Sequence, residues 1–139
     1  MGIRSVIENF SVITTGLFMS GYYIGYFVGS KTTPTLVSKV GHIRVFAAFA
    51  SLASLSALLA VAYVNPFMWT ISRFITGISL VSCYVVSESW LNDRATNKNR
   101  GQLLSAYMIV IYLGLSIGML LLNVSDPINY EPFILVSVL

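Results

Sequence analysis

Four apolar segments, each about 20 residues long, constrain the fold of this chain more than any other feature of its sequence. They cover residues 10–29, 45–64, 67–86 and 103–122. A helix of about 20 apolar residues crosses the hydrocarbon core of a bilayer and satisfies its own backbone hydrogen bonds. The sequence therefore predicts an all-α fold, a polytopic transmembrane helical bundle over 1–139, with a further span beginning at 133–139.

Composition agrees with a membrane protein and disfavours several function classes. Hydrophobic residues make up 56% of the chain, charged residues 9%, and the mean hydropathy is +0.81. A soluble domain carries roughly 25% charged residues, so the lipid bilayer is the expected partner. With one cysteine, one histidine and no P-loop pattern, we expect no metal, no cofactor and no enzymatic activity. The basic residues follow topology, so we expect no nucleic-acid partner.

The basic residues predict the orientation of the spans. Six of the eight Lys and Arg lie in two of the segments between spans. They are Lys31, Lys39, Arg44, Arg94, Lys98 and Arg100. Because cytoplasmic loops are enriched in Lys and Arg, these two segments are predicted to be cytoplasmic. Residue 1 and the segment 123–132 are predicted to lie outside.

Arg73 lies inside the third span and is the leading candidate for a functional residue. An arginine at the centre of a membrane helix costs about 2.5–3.5 kcal/mol, and such residues usually face a cavity or a partner. The nearest acid of the same helix, Glu88, is about 22 Å away along the axis, so the two cannot pair. Two interpretations stay open: Arg73 binds substrate or serves coupling, or it pairs structurally with a helix outside this chain.

Helical spacing groups other polar residues with Arg73. At about 100° per residue, one face of the third span carries Trp69, Thr70, Arg73, Thr76, Gly77, Tyr84, Ser87 and Glu88. Tyrosines of the first and fourth spans, Tyr22, Tyr26 and Tyr112, are further candidates for a substrate pathway. The alternative is that these tyrosines mark the bilayer interface.

Several glycines have the spacing of helix-packing motifs. They are Gly21, Gly25 and Gly29 in the first span, Gly77 in the third, and Gly114 and Gly118 in the fourth. Small residues at this spacing let membrane helices approach closely. We therefore predict packing roles for all six.

The segment 33–44 resembles the loop signature of the major facilitator superfamily, G-x-x-x-D-[RK]-x-G-[RK]. It keeps Lys39 and Gly41, whereas Pro34, Ser38 and His42 replace the first glycine, the aspartate and the last basic residue, with Arg44 nearby.

Three further matches support the resemblance. Arg73-x-x-x-Gly77 is similar to the arginine and glycine of the fourth helix, and Glu88 to Asn92 followed by Arg100-Gly101 is similar to the ends of the second cytoplasmic loop. The motifs together are similar to the YcaD-like branch of bacterial members. They place the chain on helices two to five and the start of six, within the N-terminal six-helix half, so we expect a piece of a larger transporter.

The resemblance implies a secondary active carrier of a small solute, working by alternating access in a bacterial inner membrane. It implies a small-molecule substrate, with an anion and a coupling proton as candidates. A cytoplasmic gating role is implied for Lys39, Gly41, His42, Arg44, Glu88, Arg94 and Arg100. The alternative for these charges is topology signalling alone, and the alternative function is a scaffold or assembly subunit that does not transport.

Overall fold

The computed structural model describes residues 6, 9, 11–124 and 134. Four long helices follow one another: α1 Val12–Val40, α2 His42–Ala62, α3 Pro66–Arg94 and α4 Arg100–Val124. The described residues contain no strand, so the predicted all-α fold is confirmed. Apart from residue 134, the predicted span at 133–139 lies outside the described residues, as does most of the segment 123–132.

Three of these helices are long and apolar enough to cross a membrane. They are His42–Ala62, Pro66–Arg94 and, within α4, Arg100–Leu121. They overlap the second, third and fourth predicted spans. α1 covers residues 12–29 of the predicted first span but is not among the three, since Ser, Thr, Gly and Tyr interrupt its apolar residues. The span at 10–29 stays a prediction.

The predicted loop between the first two spans is a helix for most of its length, so its description as a loop was wrong. α1 continues through Pro34 to Val40, and α2 begins at His42, leaving only Gly41 between the two helices. Gly41 has φ +94°, a conformation that residues with a Cβ rarely adopt. Hydropathy predicts where a helix leaves the apolar layer of the membrane. The helix itself continues until its backbone conformation changes, here at Gly41.

The turn between α2 and α3 has a local cause. Asn65 caps α3, and its side-chain oxygen accepts a hydrogen bond from the Phe67 N–H at 2.9 Å. Pro66 follows at the first helical position, where its missing N–H is not needed. This short connection turns the chain back on itself, so that α2 and α3 run antiparallel.

Helix α3 is the centre of the described bundle. It packs against α1 and α2 along much of its length, while α4 touches it only locally. Trp69 of α3 is 1% exposed and joins all three helices. Its ring meets Phe18 of α1 edge-on at 5.6 Å, and its Nε1–H donates to the Ala60 carbonyl of α2 at 3.1 Å.

The contact between α1 and α3 depends on glycine. Gly21, Gly25 and Gly29 lie on the α1 face that meets α3. A Cβ at Gly25 would collide with the Phe74 carbonyl oxygen, and one at Gly77 would collide with the Tyr22 carbonyl oxygen. The two backbones therefore pack directly on each other. Gly114 and Gly118 of α4 have no described atom within 4 Å of an added Cβ, so their packing role stays a prediction.

Buried hydroxyls supplement these contacts. Thr33 of α1 and Ser82 of α3 lie 2.7 Å apart, Oγ1 to Oγ. Between α2 and α3, the Ser72 hydroxyl donates to the Ser56 carbonyl at 2.7 Å, and the Ser56 and Thr76 hydroxyls lie 2.9 Å apart. Such bonds between membrane helices contribute about 0.6 kcal/mol each on average.

Candidate functional site

Arg73 lies in the interior of α3, two turns from its first residue, and its side chain is half-buried. Its Nε is covered by protein and has no hydrogen-bond partner. Within the described part of the chain, the guanidinium makes no hydrogen bond and no ion pair. A guanidinium has five N–H donors in a rigid fork, so Arg73 is equipped to bind a group that the described residues do not supply.

Arg73 is also an isolated charge. No other Asp, Glu, Lys or Arg occurs at 12–30, 45–64, 66–87 or 101–121. The described carboxylates, Glu88 and Asp93, both follow in the last two turns of α3, at least about 22 Å along the axis. Leaving a buried charge uncompensated is costly, and this arrangement therefore favours an external counter-charge.

Three tyrosines gather on the side of α3 that carries Arg73. The Tyr22 backbone crosses α3 at Gly77, one turn beyond Arg73. The Tyr22 ring lies 6.3 Å from that of Tyr26, and the Tyr22 hydroxyl lies within electrostatic range of Arg73 and Tyr84. We call Tyr22, Tyr26, Arg73 and Tyr84 the tyrosine–arginine cluster. Tyr26 and Tyr84 are 42% and 36% exposed within the described bundle.

Three other members of the predicted face make packing contacts. Trp69 and Gly77 are buried against neighbouring helices, and Thr76 bonds with Ser56 of α2. The predicted pathway face is therefore narrower than helical spacing alone suggests.

Two tyrosines of helix α4 have different surroundings in the described bundle. Tyr112 is 66% exposed, and its role in the pathway stays a prediction. Tyr107 instead faces α3, where its buried hydroxyl has no hydrogen-bond partner among the described residues and lies within electrostatic range of Glu88 and Tyr84. The sequence of α4 is apolar around the whole helix, so no periodic signal distinguishes the face with Tyr107.

Four basic residues lie at or near the ends of helices α1 to α4. We call this region the basic end and define it by Lys39, Arg44, Arg94 and Arg100. None of these bases lies within 4.0 Å of the Glu88 carboxylate. Among the described residues, Glu88 therefore forms no ion pair with the basic end. Arg94 instead lies over the Trp90 ring, 5.5 Å from its centroid.

The contact that joins helices at the basic end is made by His42. Its Nε2 lies 3.0 Å from the Ser89 hydroxyl and 3.5 Å from Oδ2 of Asp93. Ser89 and Asp93 are one turn apart on α3, so both meet the first residue of α2. Sequence reasoning included His42 but missed these two partners, although their i, i+4 spacing places them on one face.

An apolar groove of about 420 Å³ opens between α2, α3 and α4 beside this contact. It is lined by residues that include Phe46, Val86, Trp90 and Tyr107. The groove lies on the side of α3 where α4 touches it only locally.

The comparison with known proteins decides the family. The profile described as Major Facilitator Superfamily matches residues 5–125. The chain belongs to the Major Facilitator Superfamily. It is 34% identical over 116 residues to the uncharacterized MFS-type transporter YcaD of Escherichia coli O45:K1, strain S88, and 31% identical over 116 residues to an uncharacterized MFS-type transporter of Enterobacter sp. strain 638. Each alignment covers 84% of this chain and 30% of the relative. No solved structure matches.

The resemblance to the YcaD-like branch is thereby confirmed. The chain spans about 30% of the length of the curated relatives it matches. Superfamily membership and three helices apolar enough to span a bilayer make this an integral membrane protein.

Proposed function

We propose that this superfamily member is part of a secondary active carrier that moves a small solute across a bacterial inner membrane by alternating access. The tyrosine–arginine cluster lines the path, and Arg73 binds an anionic group of the solute. The observation that carries the proposal is a half-buried guanidinium in a membrane-spanning helix with no acceptor among the described residues. Membership of a transporter superfamily supports it.

The physical argument concerns the cost of the charge. An arginine at this depth is unfavourable by about 2.5–3.5 kcal/mol even on the mildest scale, and such residues face a cavity or a partner. A carrier that exposes Arg73 to water and then covers it with a bound anion compensates the charge in every state. In the remaining chain of the transporter, a second set of helices closes the path, and a coupling proton supplies the driving force.

The basic end supplies the gate in this proposal. His42 joins the start of α2 to the last two turns of α3, and Gly41 allows α1 and α2 to meet at a sharp angle. Rocking of one helix bundle against another remakes such contacts during each cycle. Lys39, Arg44, Glu88 and Arg94 lie within the same region and change partners as it moves.

Site-specific labelling tests alternating access at Arg73. The full reading frame is made cysteine-free, beginning with Cys83→Ala, and Arg73→Cys is introduced. An impermeant maleimide is applied to intact cells and to inverted membrane vesicles. We expect labelling at position 73 from both sides, because the site opens alternately to each.

Two further variants make the result decisive. Ser72→Cys is the matched control: this neighbour is 1% exposed and packed on α2, so it should stay unlabelled. Tyr84→Cys repeats the test with the guanidinium intact. If positions 73 and 84 react from neither side, or from one side only, the carrier proposal is wrong and a scaffold or assembly role replaces it.

A further inference from the structure

The substrate class can be narrowed by the charge balance of the tyrosine–arginine cluster. Arg73 supplies one positive charge, and no second basic side chain lies at this depth in the described ranges of α1 to α4. A bound monoanion neutralises the charge of Arg73. A dianion such as hydrogen phosphate leaves one negative charge in a low-dielectric environment, which is strongly unfavourable.

The geometry of the guanidinium favours a carboxylate among the monoanions. Its planar fork matches the two oxygens of a carboxylate and binds them bidentately. None of its donors is occupied by a described acceptor. A carboxylate therefore gains two charge-assisted hydrogen bonds without displacing an existing one.

The rest of the cluster is aromatic. Tyr84 lies on the same face as Arg73, eleven residues on and about 16 Å along the axis. Tyr22 and Tyr26 of α1 lie between them, with rings 6.3 Å apart and tilted by 39°. These rings offer flat apolar surface with hydroxyl groups at the edges, which suits a planar apolar body better than a polyhydroxylated one.

We infer that the tyrosine–arginine cluster binds an aromatic monocarboxylate, with the carboxylate on Arg73 and the ring beside Tyr22 and Tyr26. This inference rests on the proposed carrier function and specifies its substrate class.

Equilibrium binding of radiolabelled benzoate to the purified full-length protein in lipid nanodiscs tests the inference. We expect saturable binding that excess phenylacetate displaces and equal concentrations of acetate or inorganic phosphate do not. Arg73→Gln should abolish saturable binding, and Arg73→Lys should weaken it about tenfold, because an ammonium cannot bind both carboxylate oxygens in the fork geometry.

A second pair of variants separates the ring from the hydroxyl group. Tyr26→Phe should bind benzoate within about twofold of the unchanged protein, whereas Tyr26→Ala should bind it about three- to tenfold more weakly, as expected for one aromatic contact. Tyr63→Ala is the control, since Tyr63 is 56% exposed at the end of α2. Circular dichroism and size-exclusion profiles show that each variant is folded.

Several results would overturn the inference. They are absence of benzoate binding, displacement by phosphate as effective as by phenylacetate, or unchanged binding in the folded Arg73→Gln variant. If any of these occurs while positions 73 and 84 still react with maleimide from both sides, the carrier proposal stands and only the substrate class is wrong. If labelling fails as well, both proposals are wrong.

Discussion

Replacing Gly25 with alanine tests the packing of α1 on α3. The added Cβ would collide with the Phe74 carbonyl oxygen and would lie 3.1 Å from the Ile78 nitrogen. These are backbone atoms in the interior of α3, so they cannot rotate aside as a side chain can. The two helices must separate, and overpacking of this kind costs about 1–3 kcal/mol.

The matched control is Gly16→Ala on the same helix, where an added Cβ meets no described atom within 4 Å. Both variants gain the same helix propensity, about 0.8–1.0 kcal/mol over glycine. The difference between their free energies of unfolding therefore isolates the steric cost. We expect Gly25→Ala to be about 1–3 kcal/mol less stable than Gly16→Ala.

The fluorescence of Trp69 provides the assay for unfolding. It is 1% exposed and packed edge-on against Phe18 of α1, so its fluorescence reports the separation of α1 from α3. The protein is unfolded by titration with dodecyl sulfate in a Trp90→Phe background, because Trp90 is 44% exposed and would obscure the signal. Equal stability of the two glycine variants would refute the close contact between these helices.

Three other substitutions have expected results in the same titration. Gly41→Ala should lose about 1–3 kcal/mol, because alanine is strained at φ +94°, whereas Gly101→Ala, with open space around it, should lose nothing; equal losses would contradict the turn geometry. Ser82→Ala should lose about 0.6–1.7 kcal/mol through its buried interhelical contact, and Ser51→Ala, which bonds only its own helix, should lose less than half of that. Ser79→Ala should be neutral or stabilising by up to about 1 kcal/mol, because its buried hydroxyl has no partner; a clear loss would show that the hydroxyl is bonded.

The fold class followed from hydropathy because the cost of placing residues in lipid adds up locally along the chain. Helices α2, α3 and α4 overlap the segments predicted at 45–64, 67–86 and 103–122. The positions of the helix ends did not follow from hydropathy. The structure extends α1 to Val40 and α3 to Arg94, since backbone hydrogen bonding continues beyond the apolar layer until Gly41 or a polar turn ends it.

Within the candidate site, the sequence predicted only a residue that is unusual in its own segment. Arg73 was evident as a lone charge in an apolar segment. The exposure of Tyr112 and the burial of the Tyr107 hydroxyl were not evident from the sequence. Helix α4 is apolar over most of its surface, and its rotation about its own axis depends on contacts with α3. The pairing of His42 with Asp93 joins residues 51 positions apart, a distance that no local pattern encodes.

Local chemistry along the chain thus accounts for the helices, for their suitability for a bilayer and for the isolated charge within one of them. Each depends on the transfer free energies of consecutive residues. Which helix faces meet was settled by packing: α1 lies on α3 where Gly25 and Gly77 leave room for backbone contact, and that contact places Tyr22 beside Arg73. Steric fit between distant segments is a property of the folded bundle, and the tyrosine–arginine cluster exists only there.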